Sequence, residues 1–401
     1  MKRAIDKITL KGFKSIRSLE DFALGPVNIL IGANGSGKSN FVSFFTLLHE
    51  MVEGRLAKAI NKAGGADAHL YLGPKVTRKI EAHLKFGKNS YEFVLEPTAD
   101  NRLIFDDERI QFSSDPPRTR ARSVNRSIGS GPAPTTPQSW QRRSWARSVD
   151  RSIGHGHSES NLREQIKEGN QNKVISEYIH EAVSSWTVYH FHDTSDTAAM
   201  RRTGSLRDNE RLRQDGANLA AFLYHLREEN EASYSLIGDT VRLVAPFFKD
   251  FKLRPRQSNG SDDQNVDLEW EQKDSDYPFH PSQLSDGTLR FIALATALLQ
   301  PEPPATILID EPELGLHPYA LDVLASLILQ AQERTQLIVS TQSASLLNAF
   351  EPDQIVVIER ENGESKFRRL EADKLKEWLA QEYTLGDLWQ KNIYGGGPTC
   401  E

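Results

Sequence analysis

Eight residues near the start of the chain, Gly32-Ala33-Asn34-Gly35-Ser36-Gly37-Lys38-Ser39, have the spacing of a phosphate-binding loop. Each residue type has a physical task in such a loop. Glycines let the backbone curl so that its N–H groups point inward at phosphate oxygens, and the N-terminus of a following helix adds positive partial charge. Lys38 is placed to reach the β and γ phosphates of ATP, and the Ser39 hydroxyl to ligate Mg²⁺. Much later, the apolar run Thr306-Ile307-Leu308-Ile309 ends in Asp310-Glu311. Two adjacent acids at the end of a buried strand are costly without a cation nearby, and parallel sheets bind ligands at the C-terminal ends of their strands. Asp310 is therefore expected to hold Mg²⁺ through water, and Glu311 to orient and deprotonate an attacking water.

The elements that must position these groups follow from periodicity. Val27-Asn28-Ile29-Leu30-Ile31 reads as a buried strand, and Phe41, Phe44, Phe45, Leu48 and Val52 repeat at helical spacing directly after the loop. Between Lys75 and Phe112 three short runs, Ile80–Phe86, Ser90–Leu95 and Asn101–Phe105, predict an antiparallel meander with turns at Gly87-Lys88-Asn89 and at Pro97 to Asp100. From about Asn161 to Asn230 helical patterns dominate, interrupted by a strand-like run from Trp186 to His192. The C-terminal part alternates apolar helix and apolar strand, the pattern of a parallel α/β sheet.

A third candidate element is Leu284-Ser285-Asp286-Gly287-Thr288, just before an apolar helix beginning at Leu289. Taken alone, Ser or Asp there is an ordinary N-cap. Taken in order, the phosphate loop, LSDGT, ILIDEPE and Gly315-Leu316-His317-Pro318 resemble the Walker A, signature, Walker B and D-loop set of ABC-type ATPases of the RecF/SMC group. The opening Leu10-Lys11-Gly12-Phe13-Lys14-Ser15-Ile16 and the extension of the loop to Asn40 resemble the same heads. Gly64-Gly65-Ala66-Asp67, Tyr189 to Thr194, Arg211 to Leu219 and the tail Gly395-Gly396-Gly397-Pro398 are similar to a stand-alone bacterial group of AAA-type ATPases, akin to those of phage-defence and DNA-repair systems.

That resemblance implies a P-loop NTPase head with a mostly parallel sheet, an antiparallel β-lobe and a helical insertion. It implies ATP and Mg²⁺ as cofactors, nucleotide contacts from Gly32 to Asn40, and ATP sandwiched between two heads of a homodimer. Ser285, Asp286 and Gly287 would then contact the nucleotide held by the partner head. One departure is visible. Where these ATPases carry a switch histidine after the strand that follows Walker B, this chain has Gln342 after Val339-Ser340-Thr341. A Gln amide can donate to a phosphate oxygen but carries no proton or charge, which predicts slow turnover with Gln342 as an auxiliary catalytic group. No glutamine is assigned to the Mg²⁺-sensing loop.

Other features divide between plain and functional readings. His190 and His192 alternate with Tyr189 and Phe191 and so share one face; a polar face or ATP-linked hydrogen bonding is preferred to a metal pair, because zinc would need further ligands. His155 and His157, in Gly154-His155-Gly156-His157, read as loop residues. The lone Cys400 can close no internal disulfide. Segment Ala121–Gly129 returns as Ala146–Gly154, and a local duplication is preferred to a dedicated binding element. Pro116 to Arg151 holds eight arginines against one acid, with Trp140 and Trp145 interleaved, the composition of a nucleic-acid contact or of a solubilising arm. The formal charge of −6 for the whole 401-residue chain hides that basic stretch.

Four regions are expected: residues 1–112 as the first half of the head with its β-lobe, 113–160 as a disordered Arg/Ser/Gly/Pro-rich insertion, 161–260 as a helical insertion, and 261–401 as the second half. No run approaches a membrane span and no secretory signal is evident, so a cytoplasmic protein is expected. The functional expectation is a nucleotide switch acting on DNA, in repair or phage defence. An ATPase that gates a separately encoded nuclease or toxin is the alternative. A transporter ATP-binding subunit fits less well, given LSDGT and the long separation between Ser39 and Ser285. Long coiled-coil arms are excluded by the lack of sustained heptads.

Overall fold

Every side chain of the strand that enters the phosphate loop is buried, which requires cover on both faces. The computed structural model describes residues 4–113, 149–169, 172–257 and 263–397. Strands β1 (Lys7–Phe13) and β2 (Ile16–Ala23) form a hairpin whose turn places Lys14 at φ 48°. Then come β3 (Val27–Ile31), the glycine loop, α1 (Lys38–Val52) and α2 (Leu56–Lys62). Strands β4 (Ile80–Phe86), β5 (Asn89–Pro97), β6 (Leu103–Phe112) and β7 (Val149–Gly154) complete an antiparallel lobe sheet in the order β2-β1-β4-β5-β6-β7.

Helices α3 (Leu162–Lys167) and α4 (Lys173–Ser184) lead into β8 (Thr187–Tyr189). After β9 (Gly204–Ser205), helices α5 (Leu219–Glu229) and α6 (Glu231–Val244) precede the short strands β10 (Phe248–Phe251), β11 (Arg256–Gln257), β12 (Gln264–Val266), β13 (Trp270–Gln272) and β14 (Pro278–Phe279). These pair into two three-stranded sheets, β10-β13-β14 and β11-β12-β9. The chain ends with α7 (Asp286–Leu299), β15 (Thr306–Asp310), α8 (Pro318–Ala331), β16 (Gln336–Thr341), α9 (Ala344–Leu347), β17 (Ile355–Glu361), β18 (Glu364–Arg369), α10 (Ala372–Leu379) and α11 (Leu385–Gln390).

The second six-stranded sheet has the order β18-β17-β3-β16-β15-β8, parallel throughout except for β18. Its alternation divides the core in two. Ile29, Ile31, Ile307, Ile309, Leu337 and Val339 join one cluster with the helices α5 to α8. Leu30, Leu308 and Ile338 join the other, with α1, α4 and the lobe sheet. Helix α1 is fixed in that second layer by aromatic contacts: Phe44 meets Phe13 of β1 at 5.4 Å, and Phe45 meets Trp186, just before β8, at 5.3 Å. Among the described residues no helix is long and apolar enough to cross a membrane.

Three expectations need correction. Residues 149–160, placed in a disordered insertion over 113–160, are ordered: Val149–Gly154 pairs with β6 and buries Ile153, so an open sheet edge supplies the order that the composition lacks. Residues 114–148, with most of the arginine-rich stretch and the first repeat copy, lie outside the described residues. The region 161–260 is not wholly a helical insertion, because β8 is a strand of the central sheet; its three residues pair with β15, more than a hundred positions away. The third meander strand runs on to Phe112, past Asp106-Asp107-Glu108, whose acids disguise the alternation.

Glu108 explains how a charged residue sits in that strand. Its side chain is 0% exposed. It accepts hydrogen bonds from the Tyr91 and Ser160 hydroxyls, both 2.6 Å, and from the Asn161 backbone N–H at 2.9 Å. Burial pushes its carboxyl above the usual range while those donors pull the other way. Glu108→Ala would leave the buried Tyr91 hydroxyl and two part-buried donors without that acceptor and should cost about 2–4 kcal/mol, read from the denaturant midpoint. Because the native pKa is raised, the group's contribution is greatest in acid and falls as pH rises through that raised value. Glu108→Gln should flatten this pH dependence of the midpoint.

Candidate nucleotide site

Strand β3 delivers Gly32 where no larger residue fits, since a Cβ there would lie 2.2 Å from the Ile358 carbonyl oxygen of β17. The loop ends at Gly37, at φ 114°, where a Cβ would meet the Ser365 hydroxyl at 2.1 Å. That hydroxyl of β18 donates to the Ser36 carbonyl at 2.6 Å and lies 2.7 Å from the Ser15 hydroxyl. Asn40, expected among the nucleotide contacts, turns its side-chain amide onto Ser15 at 2.8 Å. Arg360 donates to the Gly35 carbonyl at 3.2 Å. The outer side of the loop is thus braced by the hairpin turn after β1 and by β17 and β18.

Lys38 is buried and folds back, its ammonium donating to the carbonyls of Gly32 at 2.6 Å and Ala33 at 3.1 Å. Burial lowers its pKa, and the negative charges of Glu311, Asp310 and Glu313 oppose that. Ser39 Oγ is 3.5 Å from Asp310 Oδ2, across 271 positions of sequence. Asp310 Oδ1 is buried with no hydrogen-bond partner. An orphaned carboxylate oxygen beside a hydroxyl is a hard-oxygen donor set that fits Mg²⁺.

Glu311 follows at φ 44°, its N–H donating to the Ser340 carbonyl at 2.8 Å. Its Oε1 accepts the side-chain amide of Gln342, and the Gln342 backbone N–H donates to Glu313 Oε1 at 2.6 Å. Burial pushes the Glu313 carboxyl upward, and the Gln342 N–H pulls against this. Asp310, Glu311 and Gln342, picked separately along the sequence, therefore meet at the ends of β15 and β16.

The LSDGT segment caps α7. Ser285 Oγ accepts the Thr288 N–H at 3.1 Å, Asp286 pairs with Arg201 at 2.8 Å, and a Cβ on Gly287 would lie 2.2 Å from the Gly315 carbonyl oxygen. Among the described residues no hydrogen bond joins these three residues to the phosphate loop. Two buried arginines, which the sequence reading missed, hold the region together. Arg290 donates to the backbone carbonyls of Phe191 at 2.8 Å, His192 at 2.9 Å and Leu314. Arg201 donates to those of Thr194 at 2.9 Å, Leu284 at 3.2 Å and Pro281. The only sequence signal for Arg290 was a cation inside an otherwise apolar helix. His190 and His192, with ring centroids 6.3 Å apart, lie just beyond β8, next to the strand that carries Asp310.

A family model described as "AAA domain, putative AbiEii toxin, Type IV TA system" matches residues 27–348. No curated protein matches. Among solved structures, the chain is similar to an SMC head bound to the C-terminal winged-helix domain of ScpA, with 17% identity, a TM-score of 0.51, and 93% of this chain and 99% of that one covered. It also aligns with the SMC head domain from Thermotoga maritima (15% identity, TM-score 0.39, coverage 92% and 99%). A third is the Pyrococcus furiosus Smc head with an extended coiled coil bound to the C-terminal domain of ScpA (16%, 0.47, 94% and 99%). The first of these shows a shared fold, that of an SMC head domain.

Removing the Lys38 ammonium removes a charge-assisted contact to the phosphates. Lys38→Ala should weaken binding of a fluorescent ATP analogue about ten- to a hundredfold, measured by titration.

Proposed function

The chain belongs to the family described as "AAA domain, putative AbiEii toxin, Type IV TA system", and from that premise we propose that it hydrolyses ATP as a dimeric switch. The observation that carries this is the convergence of the glycine loop, Ser39, Asp310 and Glu311 at one end of the parallel sheet, with Asp310 Oδ2 beside the Ser39 hydroxyl and Asp310 Oδ1 buried without a partner. Catalysis at such a site is positioning plus electrostatic stabilisation of the γ-phosphoryl group. Lys38 would leave the Gly32 and Ala33 carbonyls for phosphate oxygens. Ser39 and Asp310 would hold Mg²⁺, which when bound neutralises phosphate charge. Glu311 would accept a proton from the attacking water, and the Gln342 amide, one N–H of which holds Glu311, would donate the other to the γ-phosphate.

The dimeric part of the proposal rests on the LSDGT cap, whose hydrogen bonds among the described residues do not reach the phosphate loop. Beside it Leu314 and Tyr319 are 41% and 51% exposed, apolar surface that a second head would cover. In the closed form Ser285 and Gly287 would meet the γ-phosphate held by the partner head, and hydrolysis would reopen the pair.

DNA is the proposed target, on the strength of the arginine-rich stretch from 116 to 151. The family's description names a toxin of a toxin–antitoxin system, which favours a second reading in which the ATPase cycle controls a separately encoded protein. ATPase assays with and without single- and double-stranded DNA separate them: stimulation supports the first, and its absence the second. Glu311→Gln should lower turnover by roughly 10²- to 10⁴-fold while retaining ATP and raising the dimer fraction seen by light scattering. Unchanged hydrolysis would remove Glu311 from the mechanism.

A further inference from the structure

Glu313 is an acid for which the ATPase reading has no task. It is half-buried, and it stands two residues beyond the proposed base, so its charge adds to that of Glu311 and Asp310. A carboxylate there is an expensive acceptor for the Gln342 backbone N–H and the neighbouring Thr341 hydroxyl, which a neutral side chain would satisfy at lower cost. Its other oxygen, Oε2, is buried with no hydrogen-bond partner, so the group is not held there by a full set of donors. Burial also pushes its carboxyl above the usual range, as expected for a group kept in place against its solvation.

Its partners suggest why it is kept. The Gln342 backbone N–H donates to Glu313 Oε1 at 2.6 Å, and the Gln342 side-chain amide donates to Glu311 Oε1 at 2.5 Å. The Glu311 N–H returns to the Ser340 carbonyl at 2.8 Å. The end of β16 and the loop after β15 are thus laced three times within a few residues. Gln342 lies just past the end of β16, where the strand ladder no longer fixes its backbone, and Glu313 supplies the missing anchor. We propose that Glu313 is a positioning residue: it holds the Gln342 backbone so that the Gln342 amide orients the Glu311 carboxylate toward the attacking water. Glu313 itself touches neither ATP nor water in this scheme.

This inference rests on Glu311 being the base. Glu313→Ala removes the anchor, and Glu313→Asp keeps the charge but draws the carboxylate back by one methylene. Both should lower kcat about ten- to a hundredfold, with KM for ATP and the affinity for a fluorescent ATP analogue within about twofold of wild type. Glu313→Gln keeps an oxygen that can accept the Gln342 N–H and should retain most of the turnover. Because the two groups act through one chain of contacts, Glu313→Ala should add little to the loss already caused by Gln342→Ala. Near-UV circular dichroism reports whether each variant folds, and Glu313→Asp carries the test if the alanine variant does not. Wild-type kcat in the Asp or Ala variant, a Gln variant as slow as Ala, or losses that multiply in the double variant would each overturn the proposal. Unimpaired hydrolysis by Glu311→Gln would instead overturn the role of Glu311, a result readable independently of Glu313.

Discussion

Strand β16 lies between β3 and β15, and its register sets the geometry of the nucleotide end of the molecule. Thr341 pairs with Ile31, the residue before the glycine loop, while Ser340 pairs with Asp310. All six residues of β16 are buried, so a slip of one position would turn its apolar face away from one core layer and into the other. The register is therefore held by both hydrophobic layers at once. Gln336 at the other end adds polar ties, donating to the carbonyls of Ile5 at 2.9 Å and Gly25 at 3.0 Å and accepting the Ile5 N–H at 3.1 Å. With that strand in place, the phosphate loop, the acid pair and Gln342 have little freedom to be elsewhere.

The lobe sheet reaches the same place from the opposite side. Its hairpin turn carries Ser15 to the back of the glycine loop, and the phenylalanines of α1 bind the helix to β1 and to Trp186. At the far end of α1, Glu53 accepts the Ser184 hydroxyl at 2.8 Å and pairs with Arg163. A displacement of α1 would therefore be felt in α3, α4 and β8. On the other face, Arg201 and Arg290 tie three loops into one unit by donating to their backbone carbonyls. The segment after β8, the cap of α7 and the loop after Glu311 must then move together.

Much of this was legible in the residue order, for a physical reason that differs from element to element. The loop glycines, Lys38, Ser39 and the acid pair are legible because phosphate and cation chemistry allows few residue types at those spacings. The core strands are legible because continuous apolar runs suit a sheet covered on both faces. Arg290, Arg201, Glu313 and Glu108 were not, since each is a charge whose partner is a backbone group or a residue brought close by tertiary structure. Strand β7 and the place of β8 in the central sheet were hidden for a related reason: their pairing depends on an edge that some other segment happens to present.

By itself, then, the sequence determined that a glycine loop with Lys38 and Ser39 and an acid pair, residue types suited to phosphate and cation chemistry, would be carried on a parallel α/β sheet. These are local properties, set by side-chain chemistry and by hydrophobic period. Only the tertiary structure decided that Ser39 faces Asp310, that Gln342 reaches Glu311 and Glu313 together, and that Asn40 turns toward Ser15. Such contacts depend on strand order and register, which come from packing residues hundreds of positions apart into common layers, and no local pattern encodes that choice.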